Sequence, residues 1–117
     1  MMNPLQDEAM DGLDLTRLLI EHREATFFWR VEGSAMDGLG IHHGDLLVVD
    51  RAVVPGDGSV VIAVLDGGFV VRQLVRRGGV VILRSAHPDD PGIRLRPGQD
   101  LEVWGVVRWS VHRVVGR

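Results

Sequence analysis

Lysine is absent from this 117-residue chain; all 13 of its Lys-or-Arg positions are arginine. Lysine can lose its proton when buried and act as a general base, whereas arginine stays charged in proteins. A serine–lysine dyad therefore cannot be assembled within the chain, whatever its fold. Cysteine is absent too, which removes disulfides and thiolate metal sites. No apolar run approaches the roughly 18 residues of a membrane span. The opening MMNPLQDEAM lacks the basic start and apolar core of a signal peptide, so a cytoplasmic protein is expected. A formal charge of −3 argues against binding nucleic acid through a basic surface. What is present, 45% apolar residues and 15 glycines, fits one compact domain with a modest core.

Residues 1–12 are polar and acidic without clear periodicity and read as a flexible N-terminal arm, leaving 13–117 as the domain. Asp14 is suited to cap a short helical turn carrying Leu15, Leu18 and Leu19. In the strand expected from Phe27 to Glu32, Phe27, Trp29 and Val31 share one face. From Leu46 onward every signal is β. Leu46–Val49 and Val60–Leu65 are short β-branched runs separated by a Pro55–Gly58 turn. Asp66-Gly67-Gly68 closes a hairpin into Phe69–Val75, and Gly78-Gly79 closes another into Val80–Leu83. His87–Gly92 is a loop and Pro97-Gly98 a turn. Leu101, Val103, Val107, Trp109 and Val111 alternate with mostly polar residues in a long last strand and are expected to fill the core. The fold class is mainly β, with one minor helical turn.

The stretch from Val31 to Asp50, VEGSAMDGLGIHHGDLLVVD, organises the chain. A strand enters a Gly-x-x-Met turn, and Gly40-Ile41 and Gly44-Asp45-Leu46-Leu47 lead into an apolar strand. This pattern resembles the nucleophile loop of the LexA/UmuD family of self-cleaving serine–lysine peptidases, where Gly-x-Ser-Met is followed by a short turn and Gly-Asp. Gly33, Ser34, Met36, Gly40, Gly44 and Asp45 carry the motif, and the serine position is Ala35. The strand Phe69-Val70-Val71-Arg72-Gln73-Leu74 resembles the family strand that bears the lysine base, and uninterrupted spacing places Arg72 at that position. Alternation independently puts Arg72 on the face of Val70 and Leu74, where a charge needs a carboxylate, carbonyls or water. An edge arginine reaching solvent is the structural alternative. The segments 13–22 and 25–28 resemble UmuD in particular, and the chain begins near where the processed form, UmuD′, begins and holds no Cys-Gly or Ala-Gly bond.

The resemblance implies a curved, short-strand β fold and a non-catalytic, UmuD′-like accessory subunit of a UmuC-like Y-family translesion polymerase in the SOS response. It also implies a homodimer, a heterodimer with an intact UmuD-like relative, and contact with the RecA–single-stranded-DNA filament, without cofactor or metal. One alternative is a self-cleaving peptidase inactivated by Ser→Ala and Lys→Arg. The other is the dimerisation domain of a phage-type repressor, for which too few residues precede the match to form a helix-turn-helix.

Other residues read more plainly. Ser34 is one residue from the nucleophile position, which turns its side chain to the other side of an extended chain. His42-His43 reads as a pair of solvated turn histidines, with no further ligand at a zinc spacing. Asp45 and Asp50 bracket and terminate the strand between them. Arg76-Arg77 is a solvated hairpin end. Trp104, Val106 and Arg108, on the second face of the last strand, form an interface-like combination unless another strand or the N-terminal arm covers them.

Overall fold

The computed structural model describes residues 14–115. The expected arm at 1–12 therefore lies outside the described residues. Helix α1 is Leu15–Leu19, capped by the Asp14 carboxylate accepting from the Arg17 N–H at 3.3 Å. Among the described residues seven strands follow: β1 (Thr26–Arg30), β2 (Leu46–Asp50), β3 (Val60–Leu65), β4 (Gly68–Arg77), β5 (Val80–Arg84), β6 (Ile93–Arg94) and β7 (Leu101–Val111). They form one antiparallel sheet in the order β1-β2-β7-β3-β4-β5-β6. The mainly-β expectation holds, and the two-residue β6 is an addition to the strands read from the sequence.

The apolar runs of β2 and β3 are nearly continuous because both faces of the sheet are covered. On one face, Leu47, Val49 and Ile62 pack with Val31, Met36 and Ile41 from the turn after β1. On the other, Val61 and Ala63 pack with Leu74, Leu83 and Val106. Side chains alternate across β3, so each face receives every second residue.

The last strand departs from the simple alternation read from its sequence. Ile62 faces Gly105 while Ala63 faces Val103, and Val48 faces Trp109 while Val49 faces Val107. Trp104 and Arg108 are thus extra residues in two bulges, and each bulge reverses which side chains point to which face. Val106, expected on an exposed face, is 6% exposed and belongs to the core. Trp109 and Val111, expected in the core, are 43% and 49% exposed. Trp104 is covered by strand β1, with its ring centroid 5.3 Å from those of Phe27 and Trp29, and the Arg51 guanidinium lies 4.4 Å over it. Of the three candidate interface residues only Arg108 is exposed; its guanidinium lies 3.9 Å from Glu21. Gly105, between the two bulges, has no room for a side chain, since a Cβ there would sit 2.6 Å from Val49 Cγ1.

Candidate functional site

The chain leaves β1 through buried Val31, which exchanges backbone bonds with the start of β2: its N–H donates to Asp45 O and its carbonyl accepts from Gly44, both at 2.9 Å. These bonds fix the base of the loop carrying the motif. Gly33, Gly40 and Gly44 take φ values of 84°, 77° and 87°, a left-handed backbone that glycine adopts without steric cost. Met36 and Ile41 anchor the loop in the core at 2% and 7% exposure. The far side is tied to Ala86, whose N–H donates to Ala35 O and whose carbonyl accepts from Gly38, each at 2.6 Å. A Cβ at Gly38 would lie 2.6 Å from that Ala86 oxygen, so the approach depends on glycine.

Ala35 and Arg72 line one cleft of about 590 Å³, together with residues 29–34, Met36, Ile62, residues 69–71 and Asp90. The Trp29 and Phe69 rings, 4.9 Å apart, form an aromatic wall. The Arg72 side chain is 17% exposed, which excludes the reading of an edge arginine spread into solvent. Its Nη1 donates to Val71 O at 2.8 Å and its Nη2 lies 3.5 Å from Asp90 Oδ2, while its buried Nε has no hydrogen-bond partner among the described residues. The partner that the sequence required for this charge is therefore Asp90.

Asp90 is itself held firmly. Its Oδ1 accepts from the Gly92 N–H at 2.9 Å, and its backbone carbonyl accepts from the Ser85 hydroxyl. The Gly92 bond is the main reason that its carboxyl lies below the usual 3.8; burial opposes this and Arg72 adds to it. Nothing in the local pattern of HPDDPG distinguishes Asp90 from Asp89; the fold of the loop selects it.

A methyl group and a guanidinium cannot exchange a proton. Ser34 lines the same cleft, but the nearby imidazoles are engaged elsewhere: His43 Nδ1 accepts from the Gly33 N–H, and His42 Nδ1 lies 3.1 Å from Asp37. His42 is half-buried and packs against the His112 ring, centroid to centroid 5.2 Å, so the two turn histidines are not equally solvated. Among the described residues no group of three or more His, Cys, Asp or Glu is placed to hold a metal ion. Arg77 of the hairpin end pairs with Asp57 at 3.2 Å.

The aspartates that bracket β2 are buried and act as fasteners. Asp45, 1% exposed, accepts from the His42 N–H at 2.8 Å and from His112 at 2.6 Å. Asp50, 2% exposed, accepts from His22 at 2.6 Å and the Ala52 N–H at 2.8 Å. Burial pushes both carboxyls up, but these donors together outweigh it and hold them below the usual 3.8. The Asp50 bond raises the His22 imidazole above its ordinary 6.5, against some desolvation.

The profile of the family described as Peptidase S24-like matches residues 2–108. The chain belongs to that family. It is 39% identical over 111 residues to Protein ImpA of Escherichia coli, covering 95% of this chain and 75% of ImpA. Protein SamA of Salmonella typhimurium is 36% identical over 111 residues, covering 95% of this chain and 76% of SamA. The LexA repressor of Cupriavidus taiwanensis is 38% identical over 80 residues, 68% of this chain and 37% of the repressor. The resemblance read from the turn after β1 is thus met at the level of the S24 family, in a chain whose cleft bears Ala35 and Arg72.

Proposed function

We propose that this S24 chain is a non-catalytic, UmuD′-like accessory subunit of a UmuC-like Y-family translesion polymerase in the SOS response, acting by protein–protein binding. The observation that supports the reading is that Ala35 and Arg72 line one cleft; the resemblance of the two segments to the family motif makes them the positions of nucleophile and base. Kinship with ImpA and SamA supports placing it among UmuD-like proteins of SOS mutagenesis. Without a nucleophile and a base, activity would not await RecA-stimulated self-cleavage.

In this reading the chain forms a homodimer and exchanges into mixed dimers with an intact relative, and it contacts the RecA–single-stranded-DNA filament. The surface offered for self-association is the row Phe28, Trp109 and Val111, which takes the place of Trp104 and Val106. Phe28 and Trp109 both pair with Val48, one from each side, and Val111 lies two residues further along β7. Exposed aromatic and β-branched groups in a row are the composition that dimer interfaces cover.

The test is co-purification with the Y-family polymerase of the same host, combined with the dimer mass. Recovery of a stable complex at micromolar concentration is the expected result; a polymerase that does not bind at that concentration rejects the reading.

A further inference from the structure

Arginine and alanine at positions 72 and 35 invite the view that restoring lysine and serine would restore a peptidase. The surroundings of position 72 oppose this. A lysine base must be neutral to accept a proton, and burial helps by disfavouring the ammonium. Here a carboxylate stands beside the position. Asp90 Oδ2 is 3.5 Å from Arg72 Nη2, and the Gly92 amide and the Ser85 hydroxyl hold Asp90 in place. The other charged groups lining the cleft are Arg30 and Glu32, and His87 acts on Asp90 from its own loop. Arg30 is engaged with Gly44 O at 2.9 Å, so Asp90 is the ionised group paired with the side chain at 72.

We propose that Asp90 is an electrostatic lock on this cleft: an amine introduced at position 72 stays protonated while the Asp90 carboxylate faces it, and becomes a base only when that carboxylate is neutralised. The proposal rests on reading Ala35 and Arg72 as the nucleophile and base positions. It adds that the inactive state is held by the loop from Ser85 to Gly92 as well as by the two substitutions. An opposite charge within about 4–6 Å favours the charged form by about 1–3 pH units. One such unit lowers the neutral fraction of the amine about tenfold.

Because the chain has no lysine, Arg72→Lys introduces a single lysine side chain, and its Cε resonance can be followed by proton–carbon NMR without assignment. The Arg72→Lys amine is expected to titrate at or above the ordinary value of about 10.4. In Arg72→Lys/Asp90→Asn it is expected to fall by at least about one pH unit. Asparagine retains an oxygen for the Gly92 N–H, and tryptophan fluorescence verifies the fold. An amine well below its ordinary value with Asp90 intact overturns the proposal, and the single variant suffices for that result. No fall on neutralising Asp90 in a folded protein overturns it as well.

A second arm separates the proposal from the reading beneath it. A fluorophosphonate probe is applied at pH 7.5 to Ala35→Ser/Arg72→Lys, with and without Asp90→Asn. In the labelling step the serine oxygen bonds phosphorus, fluoride leaves and the amine takes the hydroxyl proton. Labelling is expected to be at least about tenfold faster with Asp90→Asn. Equal labelling of the two variants counts against the lock. If the amine titrates as expected but neither variant is labelled, the lock stands and the assignment of the two dyad positions fails.

Discussion

Asp45 and His112, 67 residues apart in the chain, meet at 2.6 Å and fasten the chain just beyond β7 to the entrance of β2. Since Asp45 is buried and its folded-state value is depressed, it contributes stability above its ordinary 3.8 that is lost as pH falls through the folded value. Asp45→Asn should therefore cost about 1–3 kcal/mol near neutrality. The difference from the parent should shrink as the pH is taken below 3.8. Urea unfolding at pH 7 and pH 3 measures both numbers, and an equal loss at the two pH values would remove the carboxylate from the explanation.

At the other end of β2, His22 and Asp50 titrate in opposite windows. The raised His22 value means that its contribution is full below 6.5 and lost as pH rises through the folded value. His22→Ala should lower Tm clearly at pH 6 and less at pH 9. Thermal scans at both values check the sign.

Gly105 leaves room for the Val49 side chain of the neighbouring strand β2. Gly105→Ala should cost about 1–3 kcal/mol through overpacking against Val49. Retained stability in a melting experiment would mean that the bulges on either side can absorb the methyl group.

The two tryptophans of β7 should behave differently. Trp104→Ala removes the ring under Phe27, Trp29 and Arg51 and should cost about 2 kcal/mol or more in unfolding. Trp109→Ser, at an exposed site, should change unfolding of the monomer by less than about 1 kcal/mol yet weaken self-association. Sedimentation equilibrium distinguishes them. Unchanged dimerisation in Trp109→Ser would send the interface elsewhere.

Much of this arrangement was legible along the chain. Alternation in Phe27-Trp29-Val31, the β-branched runs of β2 and β3, and the glycine turns located six of the seven strands, because these signals arise between near neighbours. The turn after β1 and the strand bearing Arg72 could be located for the same reason. The face of Trp104, Val106, Trp109 and Val111 could not be read. Two bulges reverse the alternation, and they arise from how β2 and β3 pair with β7 rather than from β7 itself. Asp90 was also hidden, since a turn rich in aspartate carries no periodicity to say which carboxylate turns inward.

Composition alone settles one point of chemistry: a chain without lysine cannot assemble a serine–lysine dyad from its own side chains, and no coordinates are needed to say so. Which groups surround Ala35 and Arg72 follows from how distant segments pack. Loop 85–92 reaches the cleft through Ala86 and Asp90, and His22 and His112 come back to β2 from distant segments. Such partners are chosen when the sheet closes and buried charges must find counter-charges, a condition of the whole fold that no local stretch expresses.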